Sequence, residues 1–319
     1  MKATFGGRIK PFSTVRGNMT SVSLTRSAVR AATQASVVPF AMEPRVHPRP
    51  DFPPDLPLRR ISVDEYHRMI DAAVFDEDDP VEMLEGWLFV KLDKYPWSKD
   101  ELDAILRESD ERSLHCDSRS KPPPYPLWRF SVADYHRMIE GGIFGENDRL
   151  ELLRGWLVSK MTHSPLHDDT IEDLDELLRS LLPPGWRLRV QSAITTLDSE
   201  PEPDLAIVRT QRSGRGVRHP GPESIGLVIE VADSSLRQDR TEKGATYAVA
   251  GIVEYWIINL RQKQVEVLTE PSGETESPQF TRTTIFAPGQ TMPLRLDGQT
   301  MANINVSDLL QRTLAVDAE

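Results

Sequence analysis

A mixed α/β fold, with a central sheet flanked by helices and preceded by a small duplicated helix–hairpin module, is what this 319-residue sequence predicts. Three observations lead there. Leu205–Val208 and Ile225–Val231 are short apolar runs, rich in β-branched residues and bounded by Pro and Gly, so both read as buried strands. Helical patterns stand before them at Asp168–Leu182 and after them at Ser235–Ala250, the order of a sheet covered by helices. Residues 57–70 return at 126–139, in a 69-residue register that holds without a gap to Pro96 and Pro165.

Residues 1–55 are rich in Ser, Thr, Arg, Ala and Pro and show no sustained periodicity, so a disordered leader is expected. Six Lys or Arg and no acid within 1–42 superficially match an organelle transit peptide. A start codon placed too early, with Met19 and Met42 as later candidates, accounts for them at least as well. No compact apolar region follows the basic residues, which argues against a secretory signal.

Each copy of the repeat opens on a capping signature, Ser62-x-x-Glu65 and Ser131-x-x-Asp134, in which hydroxyl and acid satisfy free N–H groups. A short helix follows, ending before Phe75 in one copy and at Gly141–Gly142 in the other. Val81–Val90 and Leu150–Lys160 then have a strand–turn–strand pattern with the turn at Gly86 and Gly155. Trp87 and Trp156 read as hairpin core, and the equivalent His67 and His136 as helix-packing residues. Two copies are too few for a solenoid. The expected division is a partial repeat at 56–97, a linker at 98–125 and the main domain at 126–319. The linker holds a short helix at Asp100–Glu108 and a stiff Pro122–Pro124.

Met161–His167 reads as a loop. Asp168–Leu182, apolar at 171, 174, 177, 178, 181 and 182, reads as an amphipathic helix stopped by Pro183-Pro184-Gly185. Trp186–Thr196 is expected as a strand, ahead of the two apolar strands. The helix at Ser235–Ala250 ends at Gly251, and Val253–Asn259 is a strongly apolar strand. Gln264–Leu268 and Thr281–Phe286 form a small antiparallel extension, and Val306–Leu314 closes the chain as a helix.

The net charge of −11 conceals the basic first 42 residues, so the rest of the chain is more acidic still. Such a fold does not read as a bulk electrostatic binder of nucleic acid, and action on phosphates requires a divalent metal or a local basic patch. The single cysteine, Cys116, excludes an intrachain disulfide and a cysteine-rich zinc site, and nothing near it or His115 completes another. It fits a reducing compartment, so a cytoplasmic protein is expected. No run approaches the roughly 18 apolar residues of a membrane span.

Asp204 opens one apolar strand and Glu230 lies near the end of the other. Ionised carboxylates in a core are unfavourable unless paired or metal-bound; alternatively, each sits at a strand end and points into water. On neighbouring strands they place two hard oxygen ligands at one sheet edge, as Mg²⁺ or Mn²⁺ needs. A metal-held water attacks a phosphodiester while the metal stabilises the developing charge, and a nearby lysine supports it. The strand position two beyond Glu230, where such a lysine would serve, is Ala232. Lys243, one helix on, shares a face with Asp239 and Tyr247 at i, i+4 spacing. If that face packs on the Glu230 strand, the ammonium reaches the vacant place; otherwise Asp239 and Lys243 make an ordinary surface salt bridge. Arg209, Arg212, Arg215, Arg218 and His219 form a basic loop that either contacts phosphates without reading bases or is simply solvated. His163 and His167 flank a proline in the expected loop, and no H-E-x-x-H is present.

Pro203-Asp204, Ile229-Glu230-Val231, the Asp239-x-x-x-Lys243-x-x-x-Tyr247 spacing and Gly251–Ile258, with Leu150–Leu157 and Ser164–His167 upstream, resemble the Uma2 family over about 126–310. These are endonucleases of the PD-(D/E)xK, restriction-endonuclease-like superfamily. The resemblance implies a restriction-endonuclease-like core, DNA as the partner, and phosphodiester hydrolysis with Mg²⁺ or Mn²⁺. It implies Asp204 and Glu230 as metal ligands and Glu151 as the extra acid completing or orienting the site. Lys243 is then a lysine moved from strand to helix, Gln191 lines the site, and Asp239 and Tyr247 stand beside it. The first repeat copy matches only the family's opening, Glu82 against Glu151, and lacks the later blocks. It is expected to be an accessory module that packs on the second copy or contacts a partner, a homodimer mate included. The rival reading is a catalytically silent binding or scaffold protein in which the duplication is the functional part.

Overall fold

The computed structural model describes residues 48–76, 78–113, 124–145, 147–210 and 218–311. The expectations for 1–47, His115, Cys116, Arg212, Arg215 and the chain beyond 311 lie outside the described residues.

Ser62 and Ser131 start α1 (Val63–Asp71) and α3 (Val132–Glu140). Each hydroxyl accepts from the N–H three residues on, and Glu65 or Asp134 accepts in return from the serine N–H. Each helix leads into a hairpin, β1 (Val81–Leu84) with β2 (Trp87–Val90), and β3 (Leu150–Leu153) with β4 (Trp156–Ser159). Both central turn residues have positive φ, 52° and 83° at Glu85–Gly86 and 48° and 80° at Arg154–Gly155. That is the turn geometry whose twist matches two paired strands, and glycine adopts it without penalty.

The two copies are exchanged into one another. The Arg59 N–H donates to the Leu157 carbonyl, and its equivalent Trp128 N–H donates to that of Leu88, each at 2.8 Å. Likewise Leu58 bridges Val158 and Leu127 bridges Phe89. Each leading segment thus pairs with the other copy's hairpin, the reciprocal pattern of an isologous interface. One apolar core serves both, with Met69 and Met138 fully buried and Val74, Ile143, Leu88 and Leu157 around them. The first copy therefore packs on the second, as one of the two alternatives expected for it. Residues 48–55, grouped above with the leader, are held too, since Asp51 and Leu127 exchange backbone hydrogen bonds of 3.4 and 2.9 Å. Trp87 and Trp156 are buried as expected. His67 is exposed and His136 reaches Glu200 Oε2 at 2.9 Å, so neither is the helix-packing residue expected. The helix expected at Asp100–Glu108 is longer, α2 (Lys99–Ser113).

The central sheet has six strands, β5 (Trp186–Val190), β6 (Leu205–Arg209), β7 (Ile225–Ala232), β8 (Glu254–Asn259), β9 (Gln264–Pro271) and β10 (Phe280–Phe286), in the order β10-β9-β8-β7-β6-β5. It is mixed: β7 and β8 are parallel and the other neighbours antiparallel. A parallel pair needs a crossover, supplied by α5 (Leu236–Gln238), a π-helical turn at Asp239–Lys243 and α6 (Gly244–Val249). β9 and β10 are not a separate extension, because β9 pairs with β8 from Glu254↔Thr269 to Asn259↔Gln264. β5 is shorter than the strand expected to Thr196: Gln191 turns the chain with φ 41°.

Both faces are covered. α4 (Pro165–Leu181) lays Ile171, Leu174 and Leu178 against Leu205, Ile207, Leu227, Ile229 and Val231. On the other face Ala206, Val208 and Val228 meet Tyr247 and Ala248 of α6. Alternate residues point to opposite faces, and with both faces buried the strands read as continuously apolar. Gly226 is required by this packing, since a Cβ there would lie 2.6 Å from Trp186 Cζ3 and 2.7 Å from Leu296 Cδ2. Leu296 belongs to a hairpin absent from the sequence reading, β11 (Thr291–Leu296) with β12 (Gln299–Asn305), which adds Met292 and Leu294 to the α4-side core. A short α7 (Val306–Leu309) follows. Among the described residues no helix is long and apolar enough to cross a membrane.

Candidate functional site

Strand periodicity decides where the acids point. Ile229 and Val231 face α4, so Glu230 between them faces α5 and α6. β6 pairs with β7 through Leu205↔Ile229, and one step along the same antiparallel ladder Asp204 lies opposite Glu230 on that face. The Tyr247 hydroxyl donates to Glu230 Oε1 at 2.6 Å, and Lys243 Nζ lies 2.9 Å from the same oxygen. The face carrying Asp239, Lys243 and Tyr247 thus packs on the Glu230 strand. The Lys243–Asp239 approach, 4.0 Å, is not a surface salt bridge, because the two side chains are only 12% and 1% exposed. The π-helical turn assists: the Gly244 N–H returns to the Asp239 carbonyl, which also accepts from the Tyr255 hydroxyl at 3.1 Å.

Asp204 is held from two sides. Its Oδ2 accepts from the Val231 N–H at 2.8 Å and lies 3.2 Å from His167 Nε2. His167 reaches it because α4 begins earlier than its apolar periodicity indicated. Ser164 caps the helix, its hydroxyl accepting from the His167 N–H, and Pro165 takes the first position, where no N–H is needed. The expected Met161–His167 loop therefore ends at Ser164. His163 precedes the cap, with its ring centroid 4.0 Å from that of His167.

Glu151 arrives from β3. The segment before β6 runs alongside it, with the Glu200 N–H donating to the Leu152 carbonyl at 2.7 Å and the Glu202 N–H to Glu151 Oε2 at 3.3 Å. Glu151 is buried, whereas its repeat counterpart Glu82 is exposed. Glu151, Asp204, Glu230, Asp239 and Lys243 line one cleft of about 60 Å³, together with Lys160, His163, Ser164 and His167.

Two expected sets of residues do not reach it. Gln191 is exposed and meets Asp204 only through its backbone, its N–H donating to the Asp204 carbonyl at 2.9 Å. Arg209 closes β6 at the end opposite Asp204, about 17 Å away at a strand rise of about 3.3 Å per residue. There it pairs with Asp297 and stacks 4.7 Å over Trp186. Arg218 is exposed. His167 and Lys160 were missed as site residues. The legible signal for His167 was Ser-Pro-x-His, a cap followed by Pro at the first helical position.

The cleft concentrates negative charge in a dry place. Burial pushes the Glu230 carboxyl up to about 8, with Asp204 and Asp239 adding to the pull against Lys243. Burial likewise raises Asp239 to about 6. Burial also acts to raise Asp204, but hydrogen bonding from His167 and the Lys243 charge hold it below its ordinary value. The Lys243 ammonium, disfavoured by burial, is kept well above its ordinary pKa by Glu230, Glu151, Asp239 and Asp204. Burial lowers and its two aspartate partners raise His167, with a net rise. Four buried carboxylates therefore face the Lys243 ammonium and the His167 imidazole, with Lys160 and His163 also on the cleft wall. Mg²⁺ and Mn²⁺ take oxygen donors of this chemical kind, and Asp204, Glu230 and Glu151 supply them along one cleft; among the described residues, the three whose ligand atoms already lie within 4.8 Å of one another are His163, His167 and Asp168.

The family profile described as "Putative restriction endonuclease", Uma2, matches residues 132–302. Among solved structures, a "putative nuclease belonging to DUF820" from Anabaena variabilis is similar at 15% identity and a TM-score of 0.41, over 58% of this chain and 99% of that one. No curated protein matches the chain.

Proposed function

The chain belongs to the Uma2 family, and on that premise we propose that it is a metal-dependent phosphodiesterase that cuts DNA as an endonuclease. The supporting observation is the convergence of Asp204, Glu230 and Glu151 with Lys243 in one cleft, from four separate elements. Asp204, Glu230 and Glu151 would hold Mg²⁺ or Mn²⁺. That ion, when bound, supplies Lewis-acid stabilisation of phosphoryl charge and lowers the pKa of a water nucleophile. Lys243 does what the absent strand lysine would do: it carries its ammonium to Glu230 from the crossover helix and orients the attacking water while offsetting transition-state charge. Tyr247 fixes the Glu230 carboxylate through Oε1, and the Val231 N–H with His167 fixes Asp204 through Oδ2. Lys160 lies at the cleft beside Glu202 and offers a cation to a phosphate.

The test is cleavage of plasmid DNA with Mg²⁺ or Mn²⁺ by the purified protein and by Asp204→Ala and Glu230→Ala. Both substitutions are expected to abolish cleavage while circular dichroism stays native. Cleavage retained in either folded variant overturns the site assignment.

A further inference from the structure

The mouth of the cleft carries donors that the reaction above leaves unused. His163 Nδ1 lies 3.3 Å and His167 Nδ1 3.1 Å from the same oxygen, Asp168 Oδ1. The three residues each offer one ligand atom, all within 4.8 Å of one another. The rings are tilted at 37° rather than stacked flat, and both Nδ1 atoms face the one carboxylate. An imidazole pair with a carboxylate is a donor set for a borderline transition ion rather than for Mg²⁺. Zinc–ligand bonds of about 2.0–2.1 Å arranged tetrahedrally separate neighbouring ligand atoms by roughly 3.3 Å. The observed nitrogen–oxygen spacings have that length.

The other edge of His167 adds a second, independent observation. A metal-bound histidine characteristically donates its remaining N–H to a carboxylate, which fixes ring and tautomer. His167 Nε2 lies 3.2 Å from Asp204 Oδ2 and the histidine is buried, so that outer contact is already in place. We propose that His163, His167 and Asp168 form a Zn²⁺-class metal site, separate from the carboxylate site and joined to it through Asp204. Asp168 is 59% exposed, so water and incoming metal reach the site from solvent. With Nδ1 given to a metal, His167 would keep its proton on Nε2, where Asp204 Oδ2 already lies 3.2 Å away. The site goes beyond the nuclease reading and does not depend on it.

Titration of tag-free, full-length protein with Co²⁺, followed by visible absorption, tests this. Expected are the ligand-field bands of a nitrogen–oxygen site that saturate with one equivalent of Co²⁺ and are displaced by Zn²⁺, whatever further Co²⁺ the carboxylates take. Affinity should fall at least about tenfold in His163→Ala and in Asp168→Asn. His163 is half-buried on the cleft wall and Asp168 is exposed, and far-ultraviolet circular dichroism checks that the variants remain folded. Glu230→Gln, which alters only the carboxylate site, should keep the bands. Absent bands in the wild type, bands undiminished in His163→Ala, or bands lost in Glu230→Gln each overturn the proposal. Bands retained in a protein that never cleaves DNA would overturn the nuclease reading alone.

Discussion

Lys243 Nζ lies 2.9 Å from Glu230 Oε1, and the lysine comes from the crossover helix rather than from the strand that carries the glutamate. The strand position that would present a lysine on the same face is Ala232, which is fully buried against α6. A helix packed on that face delivers the same ammonium from above. The consequences below follow from how tightly that ammonium is enclosed.

Without divalent metal, stability should fall as pH rises. Glu230 has a folded pKa of about 8 against an ordinary 4.5, and Asp239 of about 6 against 3.8. A raised folded pKa stabilises fully below the ordinary value and is lost as pH climbs through the folded one. At about 1.4 kcal/mol per pK unit, the apo protein should lose a few kcal/mol between roughly pH 5 and pH 8. Chemical denaturation at a series of pH values checks this, and on the metal-site reading proposed above Mn²⁺ should flatten the decline by favouring the ionised carboxylates. A flat apo profile would contradict it.

Lys243→Met should destabilise the apo protein by about 3 kcal/mol near pH 8, because it strips the cation from an otherwise buried group of acids. The loss should shrink near pH 5, where Glu230 and Asp239 bind protons. Urea midpoints of the variant at the two pH values give the comparison; equal losses would mean that the ammonium is not what compensates the acids.

Met69→Ala and Met138→Ala occupy equivalent places in the shared core of the two repeat copies, both with no exposed surface. Each should cost about 2–5 kcal/mol. Because one core serves both copies, scanning calorimetry should show the module unfolding in one transition for either variant. Two separated transitions in Met69→Ala, one unchanged from wild type, would show that the copies fold independently.

Gly226→Ala places a methyl group within 2.7 Å of the Trp186 ring edge and the Leu296 Cδ2 methyl, both packed on the α4-side core, so these side chains must shift to admit it. Overpacking of this kind costs about 1–3 kcal/mol. The denaturant midpoint should drop without a change in slope, whereas Gly273→Ala, where nothing lies within 4 Å of the added carbon, should lose only the smaller strain of its positive φ.

Local pattern by itself determined a good deal here. Continuous apolar runs at Leu205–Val208 and Ile225–Val231 identified the central strands, and the acids interrupting them marked the cleft. Serine caps and the 69-residue register identified the repeat, and i, i+4 spacing put Asp239, Lys243 and Tyr247 on one face. These features lie within windows of a few residues, where backbone period and capping chemistry dictate conformation. Only the tertiary structure decided what meets across long separations. It brought His167 to Asp204 and Glu202 to Glu151, joined β9 and β10 to the central sheet, and exchanged the leading segments of the two copies. It also carried Arg209 to the far end of its strand and turned Gln191 out to solvent. Such pairings depend on strand order, strand length and the packing of apolar faces over the whole core. No local period encodes them, so composition and spacing identified the acids while the fold alone chose their partners.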